Sequence, residues 1–223
     1  MTNTLKVTQK RWSLNDLYPS ATGKEFEKDF KGIEKRTAEF EKLRPLLKDD
    51  ISNADFMTVI KALEGISRLA HLMGSYAGLW FAEDTQNQAS LGLMAKIEQQ
   101  QSEIANRTLF FSLWWKELSD QAAERLMKEA GDYRYWLEEM RHFKPHTLTE
   151  AEEKIINTKN VTGISALTTL YDSITNRYVY NVEVNGEVKT ITRGELMSLV
   201  RSDDADLRAR AYQELYRVFG EDG

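Results

Sequence analysis

Histidine is the side chain best suited to hold a metal or move a proton near neutral pH. The chain has three, His71, His142 and His146. The last two stand four apart, the spacing that puts two ligands on one helical face. Pro145 lies between them, and the residue before a proline resists the α conformation, so a single continuous helix is not expected to carry both. No glutamate follows His142, so the general base of a zincin is missing as well. Metal ligation by this pair is therefore rejected, and a loop pair hydrogen-bonded to backbone is expected. His71 lies beside the apolar stripe of a long helix, where a satisfied structural histidine is expected.

Carboxylates come in adjacent pairs at Glu138-Glu139 and Glu152-Glu153. Neighbours on a helix point apart, so neither pair makes an acid/base dyad. Helix-start charge and capping account for Glu152 and Glu153. There is no cysteine, which excludes disulfides and thiolate chemistry. No glycine-rich phosphate loop and no G-x-S-x-G elbow occurs. No residue is assigned a catalytic, cofactor-binding or metal-binding role. One dense aromatic region remains: Phe110, Phe111, Trp114, Trp115, Tyr133, Tyr135, Trp136 and Phe143. Two readings stay open for it, a core between helices and a wall that contacts peptide, and both can hold for different residues.

These groups have to be positioned by helices. Residues 24–43 carry Phe26, Phe30, Ile33, Phe40 and Leu43 at helical spacing, with Thr37 in the gap, and Pro45 ends the run. Ser52 caps a second helix whose stripe includes Phe56, Val59, Ile60, Leu63, Ile66, Ala70, Met73, Ala77 and Trp80. Its small residues Gly74, Ser75, Ala77 and Gly78 would let a neighbour approach closely. A third helix is expected over 86–117, with a narrow seam of Leu93, Ile97, Ile104, Phe111 and Trp115. Its stretch 98–103 is polar nearly all round, so it should be half exposed or face a solvent-filled space. A short helix over 119–129 follows, capped by Ser119 and ended by Gly131. The next begins at Asp132, with Tyr133, Trp136, Leu137 and Met140 inward. Near the start, Trp12, Leu14 and Leu17 would anchor the terminus to the core.

The stretch 142–192 is the landmark. Thr149 to Glu152 forms a capping box, and a longer helix is expected over 164–177. An alternating strand over 178–184 meets the turn pair Asn185-Gly186 and returns over 188–191. A two-residue Asn185-Gly186 loop would pair Val182 with Lys189; a three-residue loop with Gly186 left-handed would pair Val182 with Val188 and Tyr180 with Thr190, and is the expectation because it matches apolar with apolar. A second capping box, Thr192 to Glu195, starts another helix. Ser202-Asp-Asp204 caps the last, with Leu207, Ala211, Leu215, Val218 and Phe219 inward. The fold class is mainly α, an antiparallel helical bundle with one small β-hairpin near 178–191.

The 223 residues carry a net charge of −5, which disfavours nucleic acid, since phosphate binding needs a basic surface. No polybasic segment signals a membrane, and the longest mainly apolar run, 72–82, is well short of the ~20 residues that span a bilayer. MTNTLKVTQKRW lacks the apolar core of a signal peptide. A cytoplasmic location is the expectation.

Several pieces, in order and spacing, resemble the N-terminal region of oligoendopeptidase F-type metallopeptidases, relatives of thimet oligopeptidase. They are Arg11-Trp12-Ser-Leu14-Asn-Asp16-Leu17-Tyr18-Pro19; Arg141-His-Phe-Lys-Pro-His146-Thr-Leu-Thr-Glu150-Ala-Glu152-Glu153; Leu170-Tyr-Asp172; Val184-Asn-Gly186-Glu187; and Arg208-Ala-Arg-Ala211-Tyr212. The resemblance implies a parent that is a cytoplasmic zinc endopeptidase of short peptides, in which a helical shell encloses a channel. The family's HExxH is absent here. The expectation is a front, non-catalytic portion that shapes the channel and is inactive alone, without zinc, whose partners are its own catalytic domain and, in the full-length protein, oligopeptides. Residues 1–113 would be a long-helix region, 114–192 the family's N-terminal module, and 193–223 the start of a truncated catalytic domain. A stand-alone helical interaction scaffold without enzymatic activity is the alternative.

Overall fold

A computed structural model describes residues 13–221. The chain divides into two compact units, one running to Ile164 and one from Ser165. The expected anchor Trp12, and Arg11 beside it, lie outside the described residues.

The first unit is helical: α1 (Lys24–Glu41), α2 (Asn53–Glu83), α3 (Gln88–Glu117), α4 (Asp120–Met127), α5 (Arg134–His142) and α6 (Glu150–Asn160). Most start on a side chain that satisfies a free amide of the first turn. Ser52 Oγ accepts from the Asp55 amide at 3.1 Å, Asn87 Oδ1 from Ala89 at 2.9 Å and Ser119 Oγ from Ala122 at 3.2 Å. Thr149 and Glu152 form the expected reciprocal box. Pro45 sits in a 3₁₀ turn just beyond α1.

Phe26 of α1 meets Tyr76 of α2, while Arg36 further along α1 reaches Gly65 earlier on α2. The two helices therefore run antiparallel. Ile33, Phe40, Phe56, Val59, Phe111 and Trp115 form the centre of the core, with almost no exposed surface. Thr37 fits among them because its hydroxyl donates to the Ile33 carbonyl at 2.9 Å.

The polar stretch of α3 is half exposed, as expected: Gln99 and Glu103 face solvent while Gln100 is buried. Within it, three successive side chains each reach a different helix. Gln100 Nε2 donates to the Phe30 carbonyl of α1 at 3.1 Å. Gln101 Nε2 donates to the Ala70 carbonyl of α2 at 2.8 Å. Ser102 Oγ donates to the Asn157 carbonyl of α6 at 3.0 Å. Successive residues on a helix are about 100° apart, so three in a row can serve three neighbours.

A five-residue π turn, Val161–Ser165, follows α6. The second unit contains α7 (Ala166–Thr175), β1 (Tyr180–Val184), β2 (Glu187–Ile191), α8 (Arg193–Leu199) and α9 (Ala205–Glu221). The hairpin register corrects the expectation: Val182 pairs with Lys189 and Tyr180 with Ile191. The loop is the two-residue Asn185-Gly186, with φ of 56° and 80°. Two positive φ values give the turn whose twist matches the strands. One face of the ribbon is buried, carrying Tyr180 and Val182 against Leu196, Ala211 and Val218. Val188, paired with Glu183 on the other face, is 72% exposed. The apolar match assumed for Val188 was never required, because that face has no core to join. Thr192 and Glu195 make the second capping box as expected.

Candidate functional site

A groove of about 620 Å³ opens between α2 and α3. Leu63, Ile66, Ile97 and Ile104 line it, with His71, Glu98 and Gln101 among them. The small residues of α2 make this space. Gly74 holds the Gln101 amide where a Cβ would come within 2.6 Å of Nε2, and nothing stands within 4 Å of a Cβ on Gly78. Expected to admit a close neighbour, they leave an open trough with a clamp at one point. Leu63 and Ala70, read as core stripe, are partly buried and line that trough.

Several polar groups of the groove are held by backbone carbonyls. His71 Nδ1 lies 2.7 Å from the Ser67 carbonyl. A carbonyl only accepts, so Nδ1 is the nitrogen that carries a proton in this contact. The Ala70 carbonyl likewise fixes the orientation of the Gln101 amide and leaves Oε1 to accept. Thr108, also lining the groove, spends its hydroxyl proton on the Ile104 carbonyl at 2.9 Å. Glu98 is partly buried, and burial pushes its carboxyl above the usual carboxylate range. It has no hydrogen-bond or ion-pair partner among the described residues. Reading the sequence left Glu98 and Gln101 inside a polar stretch without a role. The available signal was an acid directly after a seam residue, Ile97.

The other singled-out residues are spent on structure. His142 ends α5 and His146 lies in the 3₁₀ turn Lys144–His146, so they share no helix. Among the described residues neither forms the expected side-chain bond to backbone; His142 Nδ1 instead lies 3.6 Å from Glu139 Oε1 on an exposed face. His71 is satisfied by backbone, as expected. Glu152 is held below the usual carboxylate range by the hydrogen bonds of Thr149, and Glu153 accepts from the Leu148 amide at 3.0 Å. Both readings of the aromatic region hold in part: Phe111 and Trp115 are core, while Tyr135 is 72% and Phe143 63% exposed. Trp136, expected inward, is 39% exposed and stacks on Phe111.

Arg107 braces the back of α3. It pairs with Glu34 and, through Nε and Nη2, with Glu41 at 2.8 and 2.6 Å. These contacts pull the Glu41 carboxyl below its ordinary range. Among the described residues, no group of three His, Cys, Asp or Glu could hold a metal ion, and no helix is long and apolar enough to cross a membrane.

Residues 114–180 match the family model described as Oligopeptidase F. The chain is similar to Oligopeptidase PepF of Bacillus subtilis, 23% identical over 94% of this chain and 32% of that protein. It is also similar to the oligoendopeptidase F homolog of Borreliella burgdorferi, 22% identical over 94% of this chain and 34% of that protein. The crystal structure of oligoendopeptidase-F from Enterococcus faecium shares the fold, with a TM-score of 0.68 at 22% identity over 88% of this chain and 40% of that one. The chain thus spans about a third of the length of the curated relatives it matches.

Proposed function

We propose that this chain, which matches the oligopeptidase F family in sequence and in fold, is the non-catalytic front portion of a zinc-dependent oligoendopeptidase that acts on short peptides. Helices α1 to α3 form one wall of the channel that confines the peptide. The module over 114–192 braces that wall against the catalytic part, whose first residues are 193–223, and the whole enzyme works in the cytoplasm. The observation that supports this most is the alignment, which takes in nearly the whole chain but only a third of each relative.

The residues present do not fit zinc. Among the described residues, no group of three His, Cys, Asp or Glu comes together that could hold it. No hydrolytic step is derived through these side chains. What the chain contributes is shape: a trough with apolar walls and scattered polar groups, on a scaffold locked where α3 side chains clamp the carbonyls of neighbouring helices.

Sequencing the gene beyond codon 223 is the test. The reading frame is expected to continue into an HExxH motif. A stop codon directly after Gly223, together with specific binding of the purified chain to another helical protein, would overturn the peptidase reading in favour of a scaffold. Hydrolysis of peptides by this chain alone, in a chelator-sensitive manner and free of contaminating proteases, would overturn its non-catalytic part.

A further inference from the structure

We infer that helix α7 is the seat on which the part of this protein beyond residue 223 packs, through the apolar stripe of Leu167, Leu170, Tyr171 and Ile174. The inference rests on the reading of this chain as the front portion of a longer protein, and it names the residues that hold the two portions together.

Positions 167, 170, 171 and 174 fall at i, i+3, i+4 and i+7, which is one face of a helix. Leu167 is 66%, Leu170 55% and Tyr171 50% exposed, and Ile174 is partly buried. Among the described residues, neither apolar core contains a residue of α7, and the hairpin packs on α8 and α9 instead. The helix is also nearly without charge. Its ten residues include one, Asp172, which lies off the stripe. A helix face meant for water looks different: α1 buries Phe26, Ile33 and Phe40 and exposes Glu25, Lys28, Lys31, Glu34 and Lys35. Most helix stability in proteins comes from packing an apolar face, and α7 has the face without a core to join.

Size decides what covers the stripe. A separate partner, or a second copy of the chain, needs roughly 800 Å² on each side for a stable complex. Ten helical residues are about 15 Å long, and one face of such a helix falls well short of that area. A segment of the same polypeptide needs far less, because covalent linkage makes the contact intramolecular and raises its effective concentration. An apolar contact is also the mark of permanent rather than transient association. The stretch matched is 32% of one curated relative and 34% of another, which leaves the greater part of such a protein to supply the cover. The family match over residues 114–180 takes in the whole of α7. The occupant is therefore an apolar segment from the portion after residue 223, laid along α7.

Hydrogen–deuterium exchange read by mass spectrometry tests this on two proteins, the 223-residue chain and the full-length gene product. In the 223-residue chain the α7 amides are expected to exchange as those of a fraying helix do. In the full-length protein they should exchange at least about a hundredfold more slowly, as those of a packed helix do. Leu170→Asp should leave the melting temperature of the 223-residue chain unchanged, since the side chain joins neither core. In the full-length protein it should abolish most of the added protection. Equal exchange of α7 in the two unaltered proteins would overturn the proposal. So would protection in the 223-residue chain that grows with protein concentration, because a second copy would then be the cover. The exchange comparison needs no substitution, so it stands whether or not the variant folds. Equal exchange in a full-length protein that contains HExxH would defeat this inference and leave the peptidase reading intact. A stop codon directly after Gly223 would defeat that reading, and the inference with it, so the two failures can be told apart.

Discussion

Arg141 donates from Nη1 to the main-chain carbonyl of Trp115 at 2.6 Å while its guanidinium lies over the indole ring of the same residue, 5.7 Å from the centroid. Its Nη2 reaches the Leu118 carbonyl at 2.9 Å and Asp120 Oδ1 at 2.6 Å. The Trp115 indole in turn donates to the Leu137 carbonyl at 2.9 Å. The last carbonyls of a helix lack intrahelical donors, and one planar fork, 26 residues on in sequence, serves Trp115 in the last turn of α3 and Leu118 just beyond it. Arg141 is therefore a structural clasp for the end of α3.

Replacing Arg141 is accordingly expected to destabilise the first unit. Arg141→Ala should cost about 1–3 kcal/mol, because it removes the donor to the part-buried Trp115 carbonyl and leaves the Leu118 carbonyl only Lys144 Nζ at 3.4 Å. Arg141→Lys should recover only part of this, since a lysine cannot make the fork. Urea denaturation followed by tryptophan fluorescence measures both. A midpoint unchanged in Arg141→Ala would show that the clasp is dispensable.

The clamp at Gly74 makes a non-additive pair. Gly74→Ala drives a methyl group to within 2.6 Å of Gln101 Nε2, which should break the bond to Ala70 and cost about 1–2 kcal/mol. Gln101→Ala alone should cost about 1 kcal/mol for the same bond. In the double variant the clash is gone and alanine favours helix over glycine by ~1 kcal/mol, so it should be at least as stable as Gln101→Ala. Thermal melts of the four proteins close the cycle, and simple additivity of the two losses would contradict it.

The second unit should carry an acid-sensitive contact. Glu214 Oε1 accepts from the Asn181 amide at 2.8 Å, on the side of β1 that β2 leaves unpaired, and Oε2 pairs with Arg217 Nε at 2.6 Å. Arg217 first, then the Asn181 amide, holds the carboxyl below its ordinary value of 4.5. A carboxylate depressed in the folded state contributes stability that is complete above the unfolded value. That stability is lost as pH falls below about 4.5 through the folded value. Glu214→Gln should therefore lower stability at pH 7 and flatten the loss on acidification below pH 5. Hairpin amide exchange across that range reads this directly, and parallel pH profiles for the two proteins would exclude the role.

Much of this architecture was legible in the residues because it depends on near neighbours. Ser52, Thr149 with Glu152, and Thr192 with Glu195 all act within three positions of sequence. The stripes of α1 to α3 repeat at helical spacing, so the buried faces followed from periodicity, and Asn185-Gly186 announced the turn. Tertiary structure decided what depends on partners far along the chain. The hairpin register turned on which face found a core, which no residue inside the ribbon reveals. Gln100, Gln101 and Ser102 read only as part of a half-exposed polar stretch; which carbonyls they serve, those of Phe30, Ala70 and Asn157, depends on the fold. His71 is one more polar residue on a helix until Ser67 takes its Nδ1 proton and Glu98, 27 positions away in sequence, lines the same groove. A hydrogen bond fixes which atom gives and which receives, and across distant helices only the folded chain sets that choice.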